Sequence, residues 1–234
     1  SDYLTDLLKN RSTEFIRKSA VEAPHIPFFV YIGTPAAHGP FTPAPQYTHT
    51  YDGVRAPRTP NWNHRGLDKH WMIRYEPEMT ASVVNNSDTI YANRLGTLRS
   101  VDDLISDIFL ALRETGVAEN TYFVFASDNG FHSGQFCAPG DKRQHFEHEI
   151  RVPFAISGPG VRWGALLEEM TVNIDWAPTM IDLMGLPVPH FMDGESVKPL
   201  ILESSSAEER ARLSAAWRRD FLISYHGDSV YSNP

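Results

Sequence analysis

The sequence predicts an α/β fold, a sheet flanked by helices, on three observations. Short runs of apolar, β-branched and aromatic residues at 28–32, 121–126 and 152–156 have the length and composition of buried strands. The order strand, helix, strand, loop, strand, helix is that of a sheet covered by helices. Two polar loops, after Ile32 and after Ala126, begin where strands end, the place where ligands collect in such sheets.

Each element has its own signal. Tyr3 to about Ser19 is predicted helical, with Leu4, Leu7, Leu8, Phe15 and Ile16 at mostly helical spacing, and Pro24 and Pro27 end it. Phe28-Phe-Val-Tyr-Ile32 follows as a first buried strand. Residues 33–93 are rich in Pro, His, Asn and Trp and weakly periodic, a length of irregular chain expected only where it serves a site. Residues 95–115 form the clearest helix, with Leu98, Val101, Ile105, Ile108 and Leu112 as its apolar stripe and Gly116 placed to end it. Strands at 121–126 and 152–156 flank the loop Ser127–Gln144, and a helix from Trp176 to Met184 stops at Gly185. The strands are almost continuously apolar, so each is expected to be covered on both faces and paired on both edges.

The bulk properties exclude several classes. The 234 residues are 41% hydrophobic without a run approaching eighteen apolar residues, so no membrane span is predicted. A net charge of −8 with no basic cluster argues against nucleic acid as a partner. The opening Ser1-Asp-Tyr-Leu-Thr-Asp is polar and carries no secretory signal. The single cysteine, Cys137, excludes a disulfide within the chain. Sequons at Asn10 and Asn85 fit a secretory-pathway protein.

The loops carry the chemistry. Asp128 and Asn129 offer a charged and a neutral oxygen, ligands suited to a hard cation, although calcium needs six to eight oxygens and further ligands from elsewhere. Lys142 lies fourteen positions beyond Asp128 and can hold an anion as a compact charge. His38, in Thr34-Pro-Ala-Ala-His-Gly-Pro40, is an imidazole of the kind that works as acid or base at neutral pH. His145, Glu147 and His148 have metal-like spacing but are read as structural, and Cys137 as a neutral loop residue.

Together these stretches resemble one family, the sulfatases of the alkaline-phosphatase superfamily. "PFFVYIGTPAAHGPF" resembles its strand and substrate-site His; "SDNG" followed by "GDK" resembles its metal pair and sulfate-binding Lys. "IRVPFAISGPGV" and "NIDWAPTMIDLMGLPVP" resemble its later strand and helix. "APQY", "LDKHWMIRY", "SVDDLI", "ETGVAENTY" and "GFHSGQF" are similar to the N-acetylglucosamine-6-sulfatase and heparan 6-O-endosulfatase branch. The resemblance implies an alkaline-phosphatase-like sheet, calcium bound in part by Asp128 and Asn129, a sulfate grip from Lys142, and His38 beside the ester oxygen. Lys69, His70 and His132 match branch-specific positions and are implied sugar or sulfate contacts.

The implied activity is hydrolysis of sulfate esters on sugars, the 6-O-sulfate of glucosamine in heparan-type glycans above all, in a lysosomal or extracellular setting. A phosphoester or phosphonate hydrolase of the same superfamily and a non-catalytic glycan-binding relative are the alternatives; the usual Asp-His pair of the former counts against it here. The family's nucleophile is a formylglycine made from Cys or Ser in C/S-x-P-S/A-R, and no such motif occurs in the chain. The resemblance therefore implies that residues 1–203 are the later part of a catalytic domain. Residues 204–234 are expected to be a linker and the start of a smaller subdomain. The chain alone is expected to fold poorly and to be inactive.

Overall fold

The computed structural model describes residues 2–225; residues 226–234, the end of the expected C-terminal segment, lie outside the described residues. The chain divides into two compact units, one from residues 1–119 and 130–143, the other from 120–129 and 144–234.

In the first unit a 19-residue helix, α1 (Leu4–Glu22), packs on a 34-residue helix, α3 (Ala81–Glu114); a single turn, α2 (Trp71–Arg74), lies between them in sequence. The expected first helix forms, but with the other face inward: Thr5, Asp6, Ser12, Thr13 and Ile16 are buried while Leu4, Leu7 and Phe15 are exposed. α3 begins fourteen residues before the predicted start of 95, at an N-cap where Thr80 Oγ1 accepts from the Val83 amide. Its early turns, residues 81–94, were hidden in the sequence because the one residue buried in them, among the described residues, is the small, polar Ser87, while the close packing continues beyond them. Ser87, Gly96, Thr97 and Ser100 lie inward, and a Cβ on Gly96 would come within 2.8 Å of Pro43 Cγ. Farther along, Val101, Leu104, Ile108, Ala111 and Leu112 form the buried stripe and Leu98 turns outward. Gly116, with φ of +72°, ends the helix as expected.

The predicted strand at 28–32 is a correction. Phe29 and Tyr31 are exposed, Val30 and Ile32 are half-buried, and no ladder partner pairs with the segment among the described residues. Alternating exposure gives it the pleat of a strand, but strand status needs hydrogen-bonded neighbours that apolar composition alone does not supply.

In the second unit β1 (Phe123–Ala126) pairs antiparallel with β2 (Phe154–Ser157), in a register that sets Phe123 opposite Ser157 and Ala126 opposite Phe154. The sheet has these two strands only among the described residues, and neither is fully buried, so the expected cover on both faces is absent here. Helices α4 (Glu147–Ile150), α5 (Trp176–Leu183), α6 (Lys198–Ile201) and α7 (Ala207–Ala216) complete the unit. Its core joins Val197, Leu200, Ile201 and Trp217, so a residue from beyond position 203 packs in the same core as α6.

One buried carboxylate organises this unit. Asp175 is 1% exposed and accepts from the amides of Val172 and Glu195, while Arg218 donates to both of its oxygens at 2.5 and 2.9 Å. The Thr179 hydroxyl donates to the Asp175 carbonyl and accepts from the Val197 amide, which ties α5 to the start of α6.

Candidate active site

In the first unit a cavity of about 380 Å³ opens between the segment after residue 32, helix α3 and the 131–142 loop. His38, Phe41, Asn86, Phe131, Asp141 and Lys142 are among its lining residues. The structure therefore brings together His38 and Lys142, two residues more than a hundred positions apart that the sequence marked separately. His38 Nδ1 lies 3.2 Å from the Gly39 carbonyl. A carbonyl only accepts, so Nδ1 carries the hydrogen of that bond and Nε2 is left for acid or base work. The Lys142 amide donates to Asp141 Oδ1, and Arg143 Nε lies 3.3 Å from Asp141 Oδ2, so both carboxylate oxygens next to the lysine have other partners.

The cavity walls are aromatic. Phe41 and Phe131 meet edge to face with ring centroids 5.9 Å apart, and Ile90 of α3 adds apolar surface. Phe41 and Asp141 adopt left-handed backbone, with φ of +58° and +91°. Non-glycine residues in this region store local strain, which tends to cluster at sites and persists only where surroundings enforce it. The neighbouring loops are tied together by further contacts. Arg58 pairs with Asp88 of α3 through two hydrogen bonds of 2.9 and 2.7 Å and lies over the Trp62 ring at 3.8 Å. Trp62 Nε1 donates to the Ser133 carbonyl, and the Asn63 amide donates to the Gly134 carbonyl. Helix α3 thereby holds the 58–63 loop, which holds the 133–134 turn. Arg58 and the Ala56 amide keep the Asp88 carboxyl below its ordinary pKa against the opposing effect of burial.

The remaining marked residues of this unit lie elsewhere. His132 is 3% exposed, inside the loop, and its amide donates to the Asp141 carbonyl. Lys69 Nζ pairs with Asp68 at 2.7 Å and lies 5.9 Å from the Phe136 ring centre; His70 is exposed beside Trp71. Neither Lys69 nor His70 is among the cavity's lining residues. Cys137 is buried, and burial pushes its thiol pKa up, so it is held as an unreactive thiol. Its followers Ala138-Pro139 echo a Cys-x-Pro start, but Gly140-Asp141 then departs from the nucleophile motif.

Asp128 and Asn129 lie at the end of β1 in the second unit. Asp128 is exposed, and one of its oxygens accepts from the Asn129 amide at 2.9 Å. Among the described residues no cation pairs with it. The Asn173 amide group donates to the carbonyls of Ser127 and Asp128 at 3.4 and 3.3 Å, so the backbone of the pair is clipped to the turn that ends in Asp175. A charged oxygen without a protein cation, beside a neutral amide oxygen on a pinned backbone, fits a hard divalent ion such as calcium. His145, Glu147 and His148 each have a neighbour within their own unit, Glu147 lying 3.7 Å from Arg151. His145 meets Tyr225, and His148 stacks on Phe146 at 5.7 Å. Glu149 accepts from the Gln144 amide.

Sequence reasoning missed Asn86, Asn173 and the two phenylalanines. An apolar residue inside a polar loop, as at Phe131, was the one available signal.

The fold is α/β, with the marked residues on its loops, and it has counterparts among solved structures. The fold matches a solved protein described in complex with its substrate D-glucosamine-2-N,6-O-disulfate (TM-score 0.68, 20% identity, 88% of this chain and 54% of that one). It also matches the phosphonate monoester hydrolase of Silicibacter pomeroyi (TM-score 0.70, 22% identity, 89% and 42%). At these identities the match shows fold alone. The sulfatase family model matches residues 1–186, and the chain belongs to the sulfatase family. It is 41% identical over 230 residues to the N-acetylglucosamine-6-sulfatase of Homo sapiens, covering 97% of this chain and 40% of that protein. It is 37% identical over 227 residues to the extracellular sulfatase SULF-1 homolog of Drosophila melanogaster, covering 97% and 20%. The chain thus spans about two fifths or less of these relatives.

Proposed function

We propose that the protein containing this chain hydrolyses sulfate esters of sugars, with the 6-O-sulfate of glucosamine as its substrate class. The observation that carries this reading is the shared cavity of His38 and Lys142. Similarity to N-acetylglucosamine-6-sulfatases over almost the whole chain supports the choice of sugar. The relative named as extracellular supports a place in the secretory pathway, and no described helix is long and apolar enough to cross a membrane.

In this reading Lys142 binds a sulfate oxygen through its ammonium group, against which negative charge builds as the ester bond breaks. His38, with Nδ1 occupied by the Gly39 carbonyl, presents Nε2 to the sugar oxygen and, as the imidazolium, gives it the Nε2 proton as it leaves and becomes the neutral imidazole. Phe41 and Phe131 keep water from the far side of the cavity and offer apolar faces to a pyranose ring. Asp128 and Asn129 would hold a calcium ion, which when bound polarises the sulfate oxygens as a Lewis acid. The nucleophile would be a formylglycine, which no residue of this chain supplies. Lys69, His70 and His132 are proposed branch-specific contacts. Residues 1–203 are proposed as catalytic-domain sequence, with 204–234 leading into a smaller subdomain.

Calcium titration of the intact native protein and its Asp128→Ala variant tests the metal half. The variant is expected to lose calcium affinity and activity on glucosamine 6-sulfate together, because water replaces a charged ligand poorly. Asn129→Ala is expected to do the same more weakly. Unchanged calcium affinity in Asp128→Ala would show the metal assignment to be wrong. Turnover of a phosphonate monoester in preference to the sulfated sugar would move the protein to the other hydrolase class, and binding of the sugar without turnover to the glycan binders.

A further inference from the structure

Arg94 has no role in the reading above, yet its surroundings are unusual. It projects from α3, and its Nη1 donates to the Ala37 carbonyl at 2.6 Å, one residue before His38. Its guanidinium lies 3.7 Å from the centre of the Phe131 ring and 5.8 Å from that of Phe41. Burial pushes its pKa down, and among the described residues no carboxylate pairs with it. A cation withdrawn from water and compensated by one carbonyl and two aromatic faces is costly to hold unless it does something there.

The three partners explain what it does. Ala37 belongs to the segment that bears His38, whereas Phe131 opens the loop that ends in Lys142; nearly a hundred residues separate the two. Phe41 has a left-handed backbone and Phe131 touches it edge to face. One planar group therefore meets both loops at once: its edge donates to the first and its face covers the second. Lysine has the charge but no plane, so it can reach the carbonyl but cannot at the same time lay a flat face on the ring.

We propose that Arg94 is a positioning residue that locks the His38 loop to the Lys142 loop and so fixes the spacing of the two groups across the cavity. The proposal rests on the reading of that cavity as the reaction site. Arg94 is not itself among the lining residues, so it acts through Ala37, Phe41 and Phe131. A misplacement of about 1 Å between catalytic groups costs on the order of 100-fold in rate. Because substrate binding survives such a change better than the transition state does, the loss belongs in kcat, with KM little altered.

The test uses the intact native protein with its histidine and phenylalanine rings labelled for NMR, and the variants Arg94→Lys, Phe131→Leu and their combination. Arg94→Lys is expected to lower kcat about 100-fold with less than about a twofold change in KM, and to shift or broaden the His38 ring signals. Phe131→Leu is expected to shift those signals in the native background, and to shift them much less once Arg94→Lys has cut the link. An equal Phe131→Leu shift in both backgrounds would overturn the proposal, as would His38 signals that Arg94→Lys leaves in place. The NMR arm needs no turnover, so an inactive native protein would refute the sulfatase reading while still deciding the role of Arg94. The conservative lysine keeps the charge and can reach the carbonyl, and if it prevents folding, Phe131→Leu alone decides: unmoved His38 signals refute the link.

Discussion

Among the described residues, five other than glycine have positive φ in the first unit: Phe41, Asn63, Phe136, Cys137 and Asp141, with values from 47° to 91°. In the second unit every positive φ among the described residues falls on glycine. The first unit holds the cavity and accepts strain there, about 1–3 kcal/mol for each such residue outside the easily tolerated asparagine. Its loops are tied by tethers that are long in sequence: Asp88 to Arg58, Trp62 to Ser133, Arg94 to Ala37. The second unit carries the proposed metal pair on relaxed backbone and secures it through one buried carboxylate, Asp175. A site made by loop shape needs many weak ties, whereas a ligand pair at a strand end needs one strong anchor beneath its neighbouring turn.

The comparison breaks most easily at Asp175. Asp175→Ala leaves the Arg218 guanidinium and two amides without their acceptor, and is expected to destabilise by about 3–5 kcal/mol in thermal or urea denaturation. A loss below about 1 kcal/mol would remove the anchor from the account. Gly194→Ala attacks the same turn by another route. Its Cβ would fall 2.0 Å from the Ile174 carbonyl oxygen, and a backbone atom of that turn cannot step aside. The variant is expected to be destabilised by about 3 kcal/mol, the upper end of overpacking costs, with weaker calcium binding as the Asn173 clip is displaced.

Gly134→Ala is the counterpart in the first unit. It has φ of +107°, and a Cβ would lie 2.2 Å from Trp62 Nε1. The neighbour here is the Trp62 indole, held by Ser133 and Arg58, and the left-handed backbone adds strain of its own, so the expected cost is about 1–3 kcal/mol, with loosening of the 133–134 turn. Calcium titration of the two glycine variants side by side sharpens the contrast: Gly194→Ala is expected to weaken calcium binding and Gly134→Ala to leave it unchanged, and the reverse would contradict it.

The smallest effect is a pH dependence. The Asp88 carboxyl is held below its unfolded value by Arg58, so its contribution to stability is fully present above the unfolded pKa, about 3.9. It is lost as pH falls from there through the folded pKa. Arg58→Ala is expected to flatten the acid limb of a stability-versus-pH curve below about pH 4 and to leave the neutral slope unchanged. An unaltered acid limb would show that the Arg58–Asp88 tie does not hold the loop.

What the sequence disclosed follows from which forces leave a local trace. The helix at Trp176–Leu183 and the stop at Gly116 were legible because periodicity and a left-handed glycine are local properties. The strands at 121–126 and 152–156 were legible as apolar runs, though their antiparallel pairing was not, since pairing depends on a partner elsewhere in the chain. The segment at 28–32 shows the limit: its composition is that of a strand, and no neighbour hydrogen-bonds to it among the described residues. The first turns of α3 were invisible because they bury Ser87 rather than a stripe of large apolar residues. In the site, His38 and Lys142 stood out by residue type and by resemblance, and their meeting in one cavity was a tertiary fact. Arg94 and Asn173 left no trace, because an arginine or an asparagine inside a helix or turn is ordinary until its partners are known.

The central claim is that the cavity holds a sulfate ester with Lys142 as its grip, and turnover of glucosamine 6-sulfate by the intact protein and its Lys142→Ala variant tests it most directly. Removing a charged donor aimed at the developing negative charge is expected to lower kcat/KM by about 100- to 1000-fold. His38→Ala, run alongside, is expected to change the pH profile of turnover as loss of an acid–base group does. A Lys142→Ala protein that turns over the sulfated sugar at the native kcat/KM would contradict the account.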